Sequence, residues 1–238
     1  LPSRGRKKVK RQIARLDAMM ERIIAARRAM GLGDDLLSQL LLARDDDGRG
    51  FDDRQLRDEA ITMFAAGHET VATALTYTFM QLASNPEEEQ RLVDDPDGRA
   101  LAVFRESMRL LPPVWAIGRE TQEPIQVGGI EIPRNIQLLV AQCVVHRDPR
   151  WFDRPERFEP DRWLTGRKRP RCAYFPFGVG PRVCIGNHFA LREGTIALSR
   201  IVPAVRIRPL GPNPPPAIPS VTLRPSGAIP ARVTRRGL

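Results

Sequence analysis

Phe177-Gly178-Val179-Gly180-Pro181-Arg182-Val183-Cys184-Ile185-Gly186 decides how this 238-residue chain is read. One cysteine is offered from a glycine-rich loop, with an arginine two residues before it. Gly178, Gly180 and Gly186 leave no side chain where a flat group could lie against the backbone, and they allow the positive φ angles of a tight loop. Backbone N–H groups of such a loop can point at the sulfur, and a helix beginning near Asn187 turns its positive end towards it. Both features suit a sulfur anion. The stretch is suited to presenting one soft ligand to a metal held in a flat macrocycle.

The same ten residues resemble the heme-binding signature of the cytochrome P450 family, Phe-x-x-Gly-x-Arg-x-Cys-x-Gly. Phe177, Gly180, Arg182, Cys184 and Gly186 meet every fixed position. The resemblance implies heme b as cofactor, with Cys184 as the axial ligand of its iron. Phe177, Gly178, Gly180 and Gly186 then surround the ligand, and Arg182 grips a heme propionate, a task suited to the guanidinium fork. The resemblance places Arg119 at another propionate. Read from its neighbours alone, Arg119 is a solvated strand-end charge paired with Glu120.

Upstream, Ala66-Gly67-His68-Glu69-Thr70 sits in a largely apolar segment from about 56 to 82 that includes Ile61, Met63, Phe64, Val71, Leu75, Phe79 and Met80. Apolar residues on most sides predict a long helix in a core position. By resemblance it crosses the distal face of the heme: Gly67 opens a groove for dioxygen, and Glu69 and Thr70 relay protons. The plainer reading has Thr70 bonding back to a helix carbonyl and Glu69 paired with a surface cation. In Glu106-Ser107-Met108-Arg109 the two charges share a helix face and could form an ordinary solvated pair. The family's Glu-x-x-Arg signature, followed by Pro155-Glu156-Arg157-Phe158, implies instead a buried structural triad of Glu106, Arg109 and Arg157.

Ile125-Gln126-Val127 and Ile130-Glu131-Ile132 around Gly128-Gly129 predict a hairpin. Ser220-Val221-Thr222-Leu223 and Ala231-Arg232-Val233 suggest strands near the C-terminus. His146, beside Asp148-Pro149, reads as a turn histidine without chemistry. Cys172, Cys184 and His188 lack the paired short spacing of a structural zinc site. Three cysteines without framework spacing point to a reducing compartment, the cytoplasm.

No uncharged apolar run approaches the roughly 18–20 residues of a spanning helix, and the basic start has no following apolar block. Ile13, Leu16, Met20 and Ile23 predict an amphipathic helix from about 9 to 30, and a shorter one follows over 35–42. The net charge of +10 gathers at Arg4 to Arg11, at Arg167-Lys168-Arg169 with Arg171, and at Arg235-Arg236. No interleaved aromatic ladder suggests nucleic acid. The middle cluster precedes the Cys184 loop, on the face where, by resemblance, the family receives electrons from an acidic ferredoxin or flavin reductase; read from its residues alone, it is equally a solvated basic surface. Pro212-Asn213-Pro214-Pro215-Pro216 reads as a stiff loop.

The expected fold is mainly α with small β-sheets (α+β). Residues 1–238 would be the C-terminal portion of a single cytochrome P450 domain whose N-terminal half is absent. The implied function is that of a heme-thiolate monooxygenase using dioxygen, an organic small-molecule substrate and two electrons from a redox partner. The competing readings are a heme- or partner-binding remnant without catalysis and, more remotely, a basic nucleic-acid-binding protein.

Overall fold

The computed structural model describes residues 4–211 and 216–237; Pro212 to Pro215 of the proline-rich stretch lie outside the described residues. Two compact units divide the chain, Leu1–His68 and Glu69–Leu238.

In the first unit, α1 (Arg4–Met30) and α2 (Leu36–Leu42) pack with the start of α3 (Asp53–Ser84). Asp35 caps α2 by accepting from Ser38 N at 2.9 Å, satisfying one of the helix's orphan donors. Met20, Ile24, Leu56 and Ala60 form the buried seam. The expected helices are therefore present, with α1 and α3 longer at their ends than the apolar periodicity predicts. The expected core position of the whole of α3 is not met. Among the described residues nothing covers its middle turns, so Met63 and Phe64 are 36% and 49% exposed, whereas Val71 to Leu82 is largely buried.

The second unit contains the rest of α3, then α4 (Pro86–Asp94), α5 (Pro96–Leu110), α6 (Gln142–Val145) and α7 (Asn187–Ala204). Proline in the first turn starts α4 and α5, where its missing N–H costs no bond. Leu92, Val103, Phe104, Met108, Phe158, Leu198 and Val202 form the core between α4, α5 and α7. A Cβ built on Gly194 of α7 would overlap the Phe104 ring of α5. Only glycine lets the two helices come this near.

Small antiparallel pairs complete the unit: β1 (Ile117–Glu120) with β4 (Gln137–Val140), β2 (Ile125–Val127) with β3 (Ile130–Ile132), β5 (Val205–Pro209) with β8 (Ala231–Arg235), and β6 (Ala217–Pro219) with β7 (Leu223–Pro225). The β2–β3 turn is made by Gly128 and Gly129 at φ 58° and 81°, as its Gly-Gly predicts. Ser220-Val221-Thr222, expected to be strand, is instead the turn joining β6 and β7. The architecture is mainly α with small sheets, as expected. Among the described residues no helix is long and apolar enough to cross a membrane.

Candidate functional site

The Cys184 loop folds as its glycines allow. Phe175 O accepts from Gly178 N and Phe177 O accepts from Cys184 N, both at 2.9 Å, so the chain doubles back and closes on the cysteine. Gly178 and Gly180 hold φ of 75° and 79°, where any L side chain is strained. A Cβ on Gly178 would also meet Ile117 Cδ1 at 3.4 Å, so β1 abuts the loop. Phe177 packs its ring against the core of the second unit and thereby anchors the loop. Gly186 precedes the first residue of α7, and a Cβ there would approach Cys184 Sγ to 3.9 Å.

The sulfur is thus presented at the start of an 18-residue helix, on an exposed residue. Val183, Ile185 and Phe189 beside it are exposed apolar side chains, Ile185 to 91%. Arg182 and Arg119 are exposed, and neither meets a carboxylate among the described residues; Arg119 donates to Gly118 O at 2.8 Å. The pairing of Arg119 with Glu120 considered from sequence does not form.

Behind the loop lies a buried polar cluster. Glu106 accepts from Arg109 Nη2 and Nε at 2.9 and 3.0 Å, and from Arg162 Nε, Glu159 N and Trp163 Nε1 each at 2.9 Å. Arg109 also donates to the carbonyls of His146, Pro155 and Arg157 at 2.9, 2.6 and 2.9 Å. All five N–H donors of its guanidinium are therefore matched.

This cluster corrects the expected triad. Glu106 and Arg109 belong to it, but the second arginine at the carboxylate is Arg162, not Arg157. The 3₁₀ turn Pro160–Trp163 packs on α5 and sends Arg162 and Trp163 inward. Arg157 keeps its side chain exposed and contributes only its carbonyl. Pro160-Asp161-Arg162-Trp163 repeats the proline–acid–arginine–aromatic pattern of Pro155-Glu156-Arg157-Phe158 five residues later, a signal that would have offered both candidates.

His146, read from sequence as a turn residue, ends α6 and holds structure. It is fully buried, and its Nε2 accepts from Phe175 N at 2.9 Å, which puts the proton of the neutral ring on Nδ1. Burial, reinforced by the nearby Arg109 and Arg147 charges, lowers its pKa to about 3. Through Phe175 it fixes the strand of chain entering the Cys184 loop. In the basic cluster, Arg167 pairs with Asp153 at 2.5 Å, and Arg169 lies over the rings of Phe152 and Trp163 at 5.1 Å each. Burial, then Arg162 and Arg167, lower the pKa of Arg169. Only Lys168 and Arg171 of that cluster point to solvent unpaired among the described residues.

Of the expected oxygen-groove residues, Gly67 lies in the first unit, and Glu69 and Thr70 open the second, all on α3. A Cβ on Gly67 would meet no atom within 4 Å. Glu69 Oε1 accepts from Thr222 Oγ1 at 2.7 Å rather than pairing with a cation. Sequence reasoning missed Thr222, since nothing local to it signals a partner 153 positions away.

The family model described as Cytochrome P450 matches residues 1–97 and 100–230. This chain belongs to the cytochrome P450 family. Among curated relatives, it is 38% identical over 231 residues to cyclooctatin synthase of Streptomyces melanosporofaciens, covering 88% of this chain and 50% of that protein. It is 35% identical over 209 residues to pentalenene oxygenase of Streptomyces avermitilis, covering 80% and 46%. A crystal structure of a six-coordinated cytochrome P450 from Thermus thermophilus superimposes with a TM-score of 0.69 at 39% identity, over 77% of this chain and 50% of that one. The chain spans about half the length of the P450 relatives it matches.

Membership of this family implies a heme, and the residues present fit one. The sulfur donor is exposed just before a helix N-terminus, apolar side chains flank it, Gly186 keeps a Cβ away from it, and Arg182 and Arg119 stand without carboxylate partners among the described residues.

Proposed function

We propose that the chain is the cysteine-bearing portion of a heme-thiolate monooxygenase, with its two units parts of one P450 domain and a b-type heme held by Cys184. The observation that carries this reading is the exposed Cys184 sulfur, at the N-terminus of α7 in a loop closed by the Cys184 N–Phe177 O bond. Cysteine-ligated heme, when bound, supplies dioxygen activation: with two electrons and two protons, one oxygen atom enters a C–H bond and the other leaves as water. The chain's own residues provide the ligand and its setting. Phe177, with its ring packed on the core and its carbonyl accepting from Cys184 N, steadies the ligand loop, while Arg182 and Arg119 are available for the heme carboxylates. Gly67 leaves room on α3, and Glu69 and Thr70 carry protons inward.

The substrate is an apolar organic molecule. Two relatives are named for cyclooctat-9-en-7-ol and pentalenene, so cyclic alkenes and their alcohols are the first compounds to try. An acidic ferredoxin or flavin reductase would meet Lys168 and Arg171. Cys143, Cys172 and Cys184 are all free thiols, in keeping with the cytoplasm.

The deciding experiment is a reduced, carbon-monoxide-exposed absorbance spectrum of the heme-reconstituted protein beside Cys184→Ala. A strongly red-shifted Soret band lost in the variant supports thiolate ligation. A spectrum indifferent to the substitution overturns it.

A further inference from the structure

We propose that Thr222 is the positioning residue of Glu69, holding its carboxylate in place from the tip of the β6–β7 hairpin. This rests on the proton-carrying role given to Glu69 above. The turn Ser220-Val221-Thr222 is seated by three anchors in the second unit. Trp115 Nε1 donates to Ser220 O at 2.9 Å, Leu223 N donates to Pro113 O at 2.7 Å, and Thr222 Oγ1 donates to Glu69 Oε1 at 2.7 Å. Thr222 is 6% exposed, whereas Val221 beside it is 92% exposed. One side of the tip is therefore docked and the other open.

The chemistry of the contact gives it direction. An ionised carboxylate only accepts, and a hydroxyl has a single proton to give. The contact therefore commits Thr222 as the donor to Glu69 Oε1. Glu69 stands on an exposed turn of α3, where a glutamate otherwise samples many rotamers. Thr222 is β-branched and stiff about χ1, and its neighbour Leu223 is tied to Pro113, so it can hold the glutamate where a flexible partner could not. The same turn is bonded to Trp115. A single hairpin tip thus joins the acid on α3 to the segment leading into β1, and displacing the tip displaces the acid.

Thr222→Val removes the donor and Thr222→Ser keeps it. In the heme-loaded protein, the expected result is that Thr222→Val diverts electrons from product to hydrogen peroxide about fivefold more, the weight of one hydrogen bond, and that Thr222→Ser restores coupling. Adding Thr222→Val to Glu69→Gln should cause no further loss, since both act through one carboxylate. In crystals, the Glu69 carboxylate should be ordered in the wild type and in Thr222→Ser, and displaced in Thr222→Val. An unmoved carboxylate in Thr222→Val, or losses that add to those of Glu69→Gln, overturns the proposal. If Glu69→Gln alone leaves coupling intact, the proton-carrying role of Glu69 fails, and the position of its carboxylate still decides whether Thr222 holds it.

Discussion

Arg109 and Glu106 meet side by side, through contacts of 2.9 and 3.0 Å, with both side chains wholly buried. The same guanidinium takes the carbonyls of His146, Pro155 and Arg157. One ion pair on α5 thereby fastens the loop that leads to the Cys184 segment.

Removing one member leaves the other buried without its counter-charge. Arg109→Ala or Glu106→Ala should each lower unfolding free energy by about 3–5 kcal/mol. Arg162→Ala, which strips a charged donor from Glu106, should cost about 1.5–3 kcal/mol. Arg157→Ala, whose exposed side chain is not in the cluster, should stay within about 0.5 kcal/mol. Urea denaturation of the four variants checks this ordering; equal losses for Arg157 and Arg162 would restore the triad read from sequence.

His146 predicts how the fold responds to acid. Well above pH 6.5 the ring is neutral in both folded and unfolded chains, and it contributes no pH dependence. As pH falls from 6.5 towards the folded value of about 3, the unfolded chain binds a proton that the folded one refuses. Stability then falls by up to about 1.4 kcal/mol per pH unit. His146→Gln keeps an acceptor for Phe175 N and does not titrate. Its urea midpoint, lower than wild type at pH 7, should lose less on acidification to pH 4. Parallel pH profiles for the two proteins would sink the assignment.

The ligand loop was legible because its chemistry is local: positive-φ glycines, cysteine and arginine all fall within ten residues of chain. The Gly128-Gly129 hairpin and the long helices were legible for the same reason. What sequence reasoning missed depends on residues far apart in the chain. Whether Arg157 or Arg162 reaches Glu106 is set by a 3₁₀ turn packing on α5, and two similar tetrapeptides do not reveal which one turns inward. Thr222 has β-strand propensity, yet the turn wins because Pro219 and Ser220 end β6 and Leu223 is claimed by Pro113 O. The apolar run of α3 gave helix correctly, but periodicity cannot say which turns find a cover.

Gly194 sets how closely α7 meets α5, and hence where the helix behind Cys184 stands. In Gly194→Ala the new methyl would overlap the Phe104 ring, a rigid and 1% exposed core group. The helices must separate or the ring must leave its rotamer, at a cost of about 1–3 kcal/mol. Gly67→Ala meets no atom within 4 Å and sits in mid-helix. It should instead stabilise the fold by about 0.5–1 kcal/mol. Thermal unfolding of the two variants should therefore shift in opposite directions, and a shift in the same direction would contradict the packing at Gly194.

Arg182 separates holding the fold from holding the heme. Its side chain is exposed and meets no carboxylate among the described residues, so Arg182→Ala should leave the unfolding free energy of the heme-free protein, read by urea denaturation, unchanged within about 0.5 kcal/mol. A heme propionate gripped by its fork would lose a charge-assisted hydrogen bond of about 1.5–3 kcal/mol. Heme dissociation into an apomyoglobin trap should then quicken by roughly 10- to 100-fold, and Arg182→Lys should recover only part, since an ammonium cannot grip a carboxylate through two parallel bonds. Gly180→Ala behaves differently, because φ of 79° strains any Cβ. It should destabilise the heme-free fold by about 1–2 kcal/mol and release heme as a consequence. If Arg182→Ala leaves heme release unchanged, the propionate is gripped elsewhere, and the exposure of Arg182 is ordinary surface charge.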